Sequence, residues 1–357
     1  SITNNKYDGI KPSELREIYC LLKLQKHPNV IPLFEISINS YNEYILIMKY
    51  VPLTLDDFIK NYTSREKYII SFIKQMLSIM YYMNVNNIIH TDIKSSNILI
   101  HHDDDIDDIH IYLIDFGSAT IENITQKYSI VTTYITRAPE TYNYDGNYDN
   151  KIDVWSFGTV LYFFIFGKNY LDNEKYYNKT DINKLQYIYE IQTRINNMDL
   201  NSKLKYLLLN IFIIDPNKRP DIMGLIKIFE ELYNININKI NLLIKSKNIQ
   251  YNFDILNKLN ELNIYISSRL NYIKLNNLDI ATSIYSKLNN NIHNSRSEIE
   301  ILYICWFINY QFVHADVDYD LHDILPVFNS YNNTNYSARY LCDLIYDILD
   351  NISFKMI

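Results

Sequence analysis

Two short polar motifs, each placed after an apolar run, constrain this chain more than any other feature. His90, Asp92, Lys94 and Asn97 form H-x-D-x-K-x-x-N within NIIHTDIKSSNILI, and Asp115 opens the triplet D-F-G. The apolar runs predict short strands, so each motif is expected on a loop at a strand end. Taken alone, the first motif fits either a polar turn between two strands or a catalytic loop.

Three further motifs follow in order: APE at 138–140, DVWSFG at 153–158 and DPNKRP at 215–220. Any one of them could arise by chance, but the whole set in this order and spacing is specific. The set resembles the eukaryotic protein kinases, over residues 1 to about 233. The resemblance implies an α+β, protein kinase-like bilobal fold, with a truncated amino-terminal lobe and a mostly helical carboxyl-terminal lobe.

The chemistry that the resemblance implies can be assigned group by group. Phosphoryl transfer depends mostly on positioning and on neutralising charge. Asp92 would accept the proton of the substrate hydroxyl, and Lys94 would meet the charge on the transferring group. Asn97 and Asp115 would hold Mg²⁺ against the phosphates of ATP, because magnesium takes hard oxygen ligands. The expected cofactors are ATP and Mg²⁺.

Two features narrow the resemblance to one group of kinases. The position of Lys94 is similar to that in Ser/Thr kinases rather than Tyr kinases. The segment PSELRE resembles helix C of the cyclin-dependent kinases, although it is one residue shorter than their signature. Glu17 then matches the glutamate that pairs with the nucleotide-binding lysine. Arg137 matches an arginine that, in the wider group, favours proline after the target Ser/Thr.

The adenine pocket is also assigned by resemblance. Met48 falls at the gatekeeper position, and Lys49, Tyr50 and Val51 fall on the hinge, whose backbone would meet adenine. Leu99 would form the floor of the pocket. Met48 and Leu99 can equally be ordinary core residues, and the two roles are compatible.

The chain departs from the family at its start. The glycine-rich loop and the lysine of the third strand are absent, and Lys6 and Lys11 are too close to Glu17 in sequence to replace that lysine comfortably. We expect both features upstream of Ser1 in a longer product. If they are missing in nature, the chain would be a poor nucleotide binder or a pseudokinase.

A second departure concerns the phosphate on the activation loop. Thr91 replaces the arginine of H-R-D, and Thr120 stands at another of the family's three phosphate-gripping positions, so that only Arg16 remains. A phosphate on this loop would find little to pair with. Activity is therefore predicted not to depend on phosphorylation at the candidate loop sites, which are Thr125, Tyr128 and Ser129.

The remaining kinase-like segments show clear patterns. Residues 12–26 read as a helix with an apolar stripe, 30–37 and 43–50 as strands, 55–83 as helical, and 150–233 as helices with loops.

The acidic insert HHDDDIDDIH has a composition that could bind a metal. A solvated hairpin tip is the favoured interpretation, since like charges without an apolar anchor stay in water.

The last third is helical in pattern, after a polar boundary near residue 235. The segment around Leu278, Ala281, Tyr285 and Leu288 is similar to the cyclin box, as is the apolar stretch EIEILYICWFINYQF. A generic helical extension packed on the kinase is the alternative. A further departure is that Gln311 or Tyr310 stands where cyclins usually keep a lysine that touches the kinase. Asp343 lies near the position of the partnering glutamate.

Residues 1–233 are therefore predicted to form a protein kinase domain that lacks the first strands of its amino-terminal lobe, and residues 234–357 a helical cyclin-like domain. The predicted function is Ser/Thr protein phosphorylation with a cyclin-like activator in the same chain. The alternative is a pseudokinase scaffold whose cyclin-like end recruits partners. The expected partners are a protein substrate, ATP, and the intramolecular cyclin-like domain or a separate cyclin.

Composition limits the other classes of partner. The net charge of −7 argues against a broad nucleic-acid-binding surface, and the longest apolar run is too short to span a bilayer. The 3 cysteines are far apart, which predicts buried free thiols in a reducing compartment. The expected localisation is intracellular, either cytoplasmic or nuclear, and a host cell or a virion is also considered. The 34 tyrosines and 6 glycines suggest an AT-rich genome, such as that of a giant DNA virus or a protist.

Overall fold

The computed structural model describes the kinase-like segment and part of the helical segment that follows it. The described residues are 12–38, 44–62, 65–103, 108–121, 133–143, 148–170, 190–235, 237, 262, 281, 298–313, 321–332, 336–337, 340–341, 344–345 and 348. Lys6, Lys11, the candidate phosphorylation sites of the loop and most of the cyclin-box pattern lie outside them. So do Asp343 and the side chains of Tyr310 and Gln311.

The first helix, α1, spans Pro12–Leu24, close to its predicted bounds. Proline is tolerated at the first helical position because the amide hydrogen it lacks would have no partner there. The predicted apolar stripe, which includes Leu15, Ile18 and Leu21, is buried. The helix ends in a turn in which the amide of His27 donates to the carbonyl of Leu24.

Two antiparallel strands follow, as the sequence predicts. Strand β1 spans Leu33–Ile38 and β2 spans Tyr44–Met48, with a register shift near the start of β1. A single bridge between Val30 and Leu113 ties the segment before β1 to the larger part of the fold.

The prediction of one helical pattern over residues 55–83 is wrong in its middle. Helix α2 spans Leu55–Asn61 and α3 spans Ile69–Val85. Between them Tyr62 is extended, and the guanidinium of Arg65 donates to the carbonyls of Ile59 and Tyr62. Because a charged side chain takes the carbonyls that the next helical turn would use, the helix ends there.

Five short strands surround the two polar motifs. They are β3 (Leu53–Thr54), β4 (Ile88–Ile89), β5 (Ile98–Asp103), β6 (Asp108–Leu113) and β7 (Thr120–Ile121). The sheets have the orders β3-β5-β6 and β4-β7, and every pair is antiparallel. The first motif thus connects β4 to β5, and D-F-G connects β6 to β7.

The acidic insert continues this hairpin. Strands β5 and β6 pair as far as Asp103 and Asp108, and residues 104–107 lie outside the described part. His102 is not at a solvated tip, because its ring bonds to the Tyr68 hydroxyl at 2.8 Å. Within the described residues, no group of three or more His, Cys, Asp or Glu side chains could hold a metal ion.

The second half of the kinase-like segment is helical, as predicted. Its helices are α4 (Lys151–Phe166), α5 (Ile191–Asn196), α6 (Ser202–Ile211) and α7 (Ile222–Tyr233). Nearly all of α4 is buried, which confirms the interpretation of its apolar run as a core helix. The helix ends at Gly167, whose φ of 66° suits glycine in a left-handed cap.

Two helices of the last third are described, α8 (Glu298–Val313) and α9 (Leu321–Asn332). Residues 301–308 are all buried, which confirms the predicted buried helix. Tyr303 of α8 stacks on Phe328 of α9. Helix α8 also contacts α1, so the last third packs on the helix that carries Glu17. The cyclin-like character of this region stays a prediction.

Two of the three cysteines, Cys20 and Cys305, are buried free thiols, as expected. Cys342 lies outside the described residues. Among the described helices, none is long and apolar enough to cross a membrane.

Candidate active site

The carboxylate of Asp92 is held by donors on both of its oxygens. The ammonium of Lys94 donates to Oδ2 at 2.6 Å. The backbone amide and the hydroxyl of Thr133 donate to Oδ1 at 3.0 and 2.6 Å. The ammonium also donates to the Thr133 hydroxyl at 3.1 Å, which closes a three-residue network. These contacts fix the orientation of the carboxylate in a largely buried loop.

The same contacts keep Asp92 ionised. Burial raises its pKa, but the hydrogen bonds from Lys94 and Thr133 outweigh burial, so that the pKa lies below its ordinary value. Donors that bond to a carboxylate stabilise its charged form. At neutral pH Asp92 is therefore a carboxylate and can accept a proton.

Asn97 is the third member of the motif that the structure brings to Asp92. Its amide nitrogen donates to the backbone carbonyl of Asp92 at 3.0 Å and to its Oδ2 at 3.3 Å. Because the nitrogen is committed to Asp92, the amide oxygen is the group that can bind a cation. The backbone carbonyl of Asn97 accepts a hydrogen bond from the backbone amide of Ile114 at 3.0 Å, and this bond brings Asp115 next to the loop.

Asp115 lies at a strained backbone position beside Glu17. Its φ is 63°, in the left-handed region that few residues other than glycine adopt. The pKa of Glu17 is raised to about 7, first by burial, then by the negative charge of Asp115 and then by that of Glu14. Near neutral pH Glu17 is therefore only partly ionised beside the carboxylate of Asp115.

These residues fit a bound magnesium ion. Asp115 supplies a carboxylate beside the acidic side chain of Glu17, and Asn97 supplies an amide oxygen. Magnesium is usually held by one or two carboxylates together with substrate phosphates and water, rather than by a cage of protein ligands. Asp115 and Asn97 would hold the ion, which would supply positive charge to the phosphates of a nucleotide.

The backbone of the first motif is held by the side chain of Asp153 in α4. Its carboxylate accepts the amides of His90 and Thr91 at 2.7 and 3.0 Å. Thr91 has a φ of 66°, which is a genuine outlier for a β-branched residue. Charged acceptors make strong hydrogen bonds to backbone amides, so Asp153 holds the loop in this conformation.

The residues predicted to bind adenine lie at the end of β2, in the residues after it, and in β5. Met48 ends β2 and Leu99 lies in β5, and both pack partly buried against the core. Val51 is buried, whereas Tyr50 is almost fully exposed. The ammonium of Lys49 donates to the hydroxyl of Tyr112 at 2.5 Å. The structure places Met48, Lys49 and Val51 on and beside one connection, and their role in adenine binding stays a prediction.

Sequence reasoning missed two residues of the site. Thr133 bonds to both Asp92 and Lys94, and Asp153 fixes the loop backbone. Asp153 belongs to the DVWSFG motif, so its position in a known pattern could have drawn attention to it. Thr133 carries no comparable signal, because it is one of three threonines in the seven residues before APE, and the sequence does not show which of them reaches Asp92.

A fold of strands and helices with this ionised aspartate, its lysine and its amide neighbour defines the protein kinase class. Residues 2–228 match the protein kinase domain family. The match covers more than half of the chain, and the chain belongs to this family.

Curated relatives agree with this family. Calcium-dependent protein kinase 5 of Plasmodium falciparum is 35% identical over 155 residues, which cover 43% of this chain and 26% of that protein. Serine/threonine-protein kinase cds1 of Schizosaccharomyces pombe is 34% identical over 151 residues, or 40% of this chain and 32% of that protein. The chain therefore spans about a quarter to a third of the length of these relatives.

Among solved structures, one chain of the yeast RNA Pol II CTD kinase CTDK-1 complex is similar to this one. The TM-score is 0.49 at 24% identity, over 61% of this chain and 80% of that chain. A similarity this low carries no argument about activity or partners.

Proposed function

We propose that this protein is a Ser/Thr protein kinase that transfers the γ-phosphate of ATP, with Mg²⁺, to a hydroxyl of a protein substrate. The observation that carries the proposal is the network around Asp92. It combines an ionised carboxylate, a lysine at 2.6 Å and an amide whose oxygen can take a cation. Each of these groups has a defined task in phosphoryl transfer.

The proton transfer can be followed on Asp92. A carboxylate has about four acceptor positions, and the bonds from Thr133, Lys94 and Asn97 use them all. An incoming substrate hydroxyl therefore takes the place of one of these donors before its proton passes to Asp92. Lys94 stays nearby as the positive charge that meets the transferring group.

Specificity for Ser/Thr rests on the Lys94 position and on the named relative. Lys94 touches both Asp92 and Thr133, so it belongs to the reacting centre rather than to the surface. One of the matched proteins is named a serine/threonine-protein kinase. The identity of the substrate protein is not part of the proposal.

Activation by the last third of the chain is the finer part of the proposal. Helix α8 packs on α1, which carries Glu17 beside Asp115. A cyclin-like region placed there would hold α1 in position. Because the region belongs to the same chain, docking is intramolecular and occurs at an effective concentration of roughly millimolar. The cyclin-dependent character of the kinase is proposed on the same contact.

The competing function is a pseudokinase scaffold that recruits partners through its helical end. The two are separated by a kinase assay with the full-length protein and two variants. Asp92→Asn should lower phosphate incorporation by about a thousandfold or more if Asp92 is the base. Asp199→Asn removes an exposed carboxylate and should leave activity unchanged. Equal incorporation by wild type and Asp92→Asn would exclude the kinase and favour the scaffold.

A further inference from the structure

We propose that Thr91 is a positioning residue whose hydroxyl holds the turn that follows Asp115, in place of any contact to a phosphate. The inference rests on the proposed function for its catalytic meaning. Its structural content is one part-buried hydrogen bond between the first motif and the residue that follows D-F-G.

The bond joins the hydroxyl of Thr91 to the backbone carbonyl of Ser118, at 2.8 Å. Thr91 is only 3% exposed, whereas Ser118 is exposed, so the bond is buried on the donor side alone. The preceding carbonyl, that of Gly117, accepts the Nε of Arg16 at 3.0 Å. Two successive carbonyls after Asp115 are thus held from two sides, one from the first motif and one from α1.

The identity of residue 91 has a measurable cost. A β-branched residue in the left-handed region is strained relative to an ordinary conformation. Glycine or asparagine would avoid much of that cost at a φ of 66°. Neither glycine nor valine can donate from this position, whereas threonine can. The hydroxyl bond to Ser118 therefore acts together with the bonds from the loop amides to Asp153 in offsetting the strain.

The turn itself needs such support. Asp115 is also in the left-handed region, and the turn is closed by a bond from the Ala119 amide to the Phe116 carbonyl at 3.0 Å. Beyond the turn, Thr120 pairs with Ile89 in the β4-β7 ladder. The Thr91 bond lies between these two restraints, so its loss frees the middle of the segment.

Thr120 also uses its hydroxyl for a hydrogen bond inside the protein. Its hydroxyl shares a hydrogen bond of 3.1 Å with the hydroxyl of Tyr148, and both residues are buried. The two threonines at positions where the resemblance expects arginines thus make internal, neutral hydrogen bonds. A neutral hydroxyl cannot form the charge-assisted bonds with which arginine holds a phosphate. The segment is fixed by the fold itself.

The first test is hydrogen exchange of the ligand-free, full-length protein over residues 113–121. Thr91→Val keeps the shape and the β-branch but removes the donor, and a net hydrogen bond is worth about 1 kcal/mol. Exchange in this segment should become about fivefold faster. Thr91→Ser keeps the donor and should exchange like the wild type.

Thr159→Val is the matched control. Thr159 is also buried and donates its hydroxyl to a backbone carbonyl, that of Ser156, at 2.7 Å within α4. This variant removes an equivalent bond away from the site. It should lower the free energy of global unfolding by a similar amount. Exchange over residues 113–121 should rise only as far as this loss of global stability explains.

The second test is the dependence of phosphate transfer on Mg²⁺. Thr91→Val should raise the half-saturating Mg²⁺ concentration by about fivefold, because Asp115 is held less firmly, and Thr91→Ser should stay within about twofold. Unchanged exchange in Thr91→Val relative to Thr159→Val would overturn the inference even in an active enzyme. Faster exchange in Thr91→Val, together with a wild-type protein that transfers no phosphate, would support the Thr91 bond and reject the proposed function.

Discussion

Arg219 and Glu140 form a buried, two-pronged ion pair that ties the APE motif to the segment before α7. The Nη1 and Nη2 atoms of Arg219 donate to Oε1 and Oε2 of Glu140 at 2.7 and 3.0 Å. The remaining donors of the guanidinium bond to the carbonyls of Ile213, Ile214 and Lys151. The ion pair thus links the APE motif to the DPNKRP motif, which lie far apart in the sequence.

Breaking this pair should strongly destabilise the protein. Glu140→Gln leaves a fully buried guanidinium without its counter-charge, and we expect a loss of about 3–5 kcal/mol in the free energy of unfolding. Arg219→Lys should also lower the free energy of unfolding, since an ammonium cannot donate to both oxygens of Glu140 in the way that the planar guanidinium does. Urea denaturation measures both. Lys218→Met is the control, because its pair with Asp215 is exposed and worth less than about 1 kcal/mol.

Activity should not require phosphorylation of the activation loop. The hydroxyls at positions 91 and 120 are committed to internal bonds, and Arg16 donates to Gly117. Replacement of Thr125, Tyr128 and Ser129 together by alanine should leave kcat within about twofold of the wild-type value. Treatment of the wild-type protein with a phosphatase should likewise leave kcat unchanged. Loss of activity in a triple variant that still melts like the wild type would contradict the prediction.

The packing of α8 on α1 should make activity depend on an intact connection between the two parts. A protease site inserted between residues 245 and 250 of the full-length chain allows the connection to be cut after folding. Activity should then fall on dilution, because docking becomes bimolecular once the effective concentration of roughly millimolar is lost. A cut protein whose specific activity is the same at every dilution would argue against the activator.

Acid should destabilise the protein through His27. Burial, helped by the nearby His110, lowers the pKa of His27 to about 4. Its Nδ1 accepts the amide of Asn29, so the neutral ring donates from Nε2 to Ser78. The unfolded chain therefore binds a proton more readily than the folded protein between these pKa values.

The stabilisation is complete above the unfolded pKa of about 6.5 and is lost as pH falls through 6.5 towards 4, by at most about 3 kcal/mol. His27→Asn should be less stable at neutral pH but should show a flatter pH dependence in urea denaturation. His101→Asn replaces an exposed histidine and should keep the wild-type slope. Parallel pH curves for wild type and His27→Asn would contradict this assignment.

The sequence alone determined the local part of the site. Asp92, Lys94 and Asn97 lie within one short loop, so their spacing along the chain already restricts them to a common region. The same holds for the amphipathic helix α1, whose apolar stripe follows from its helical period. The break between α2 and α3 was not predictable, because it depends on the long side chain of Arg65 reaching back to two carbonyls.

Only the tertiary structure decided the contacts that cross the chain. Thr133 reaches Asp92, Asp153 supports Thr91, and α8 packs on α1 through pairings between distant segments. Threonine and aspartate occur everywhere in proteins, and their spacing carries no signal for partners that are far apart in sequence. Such contacts exist because the folded core fixes where each element lies, which a linear pattern of apolar residues does not specify.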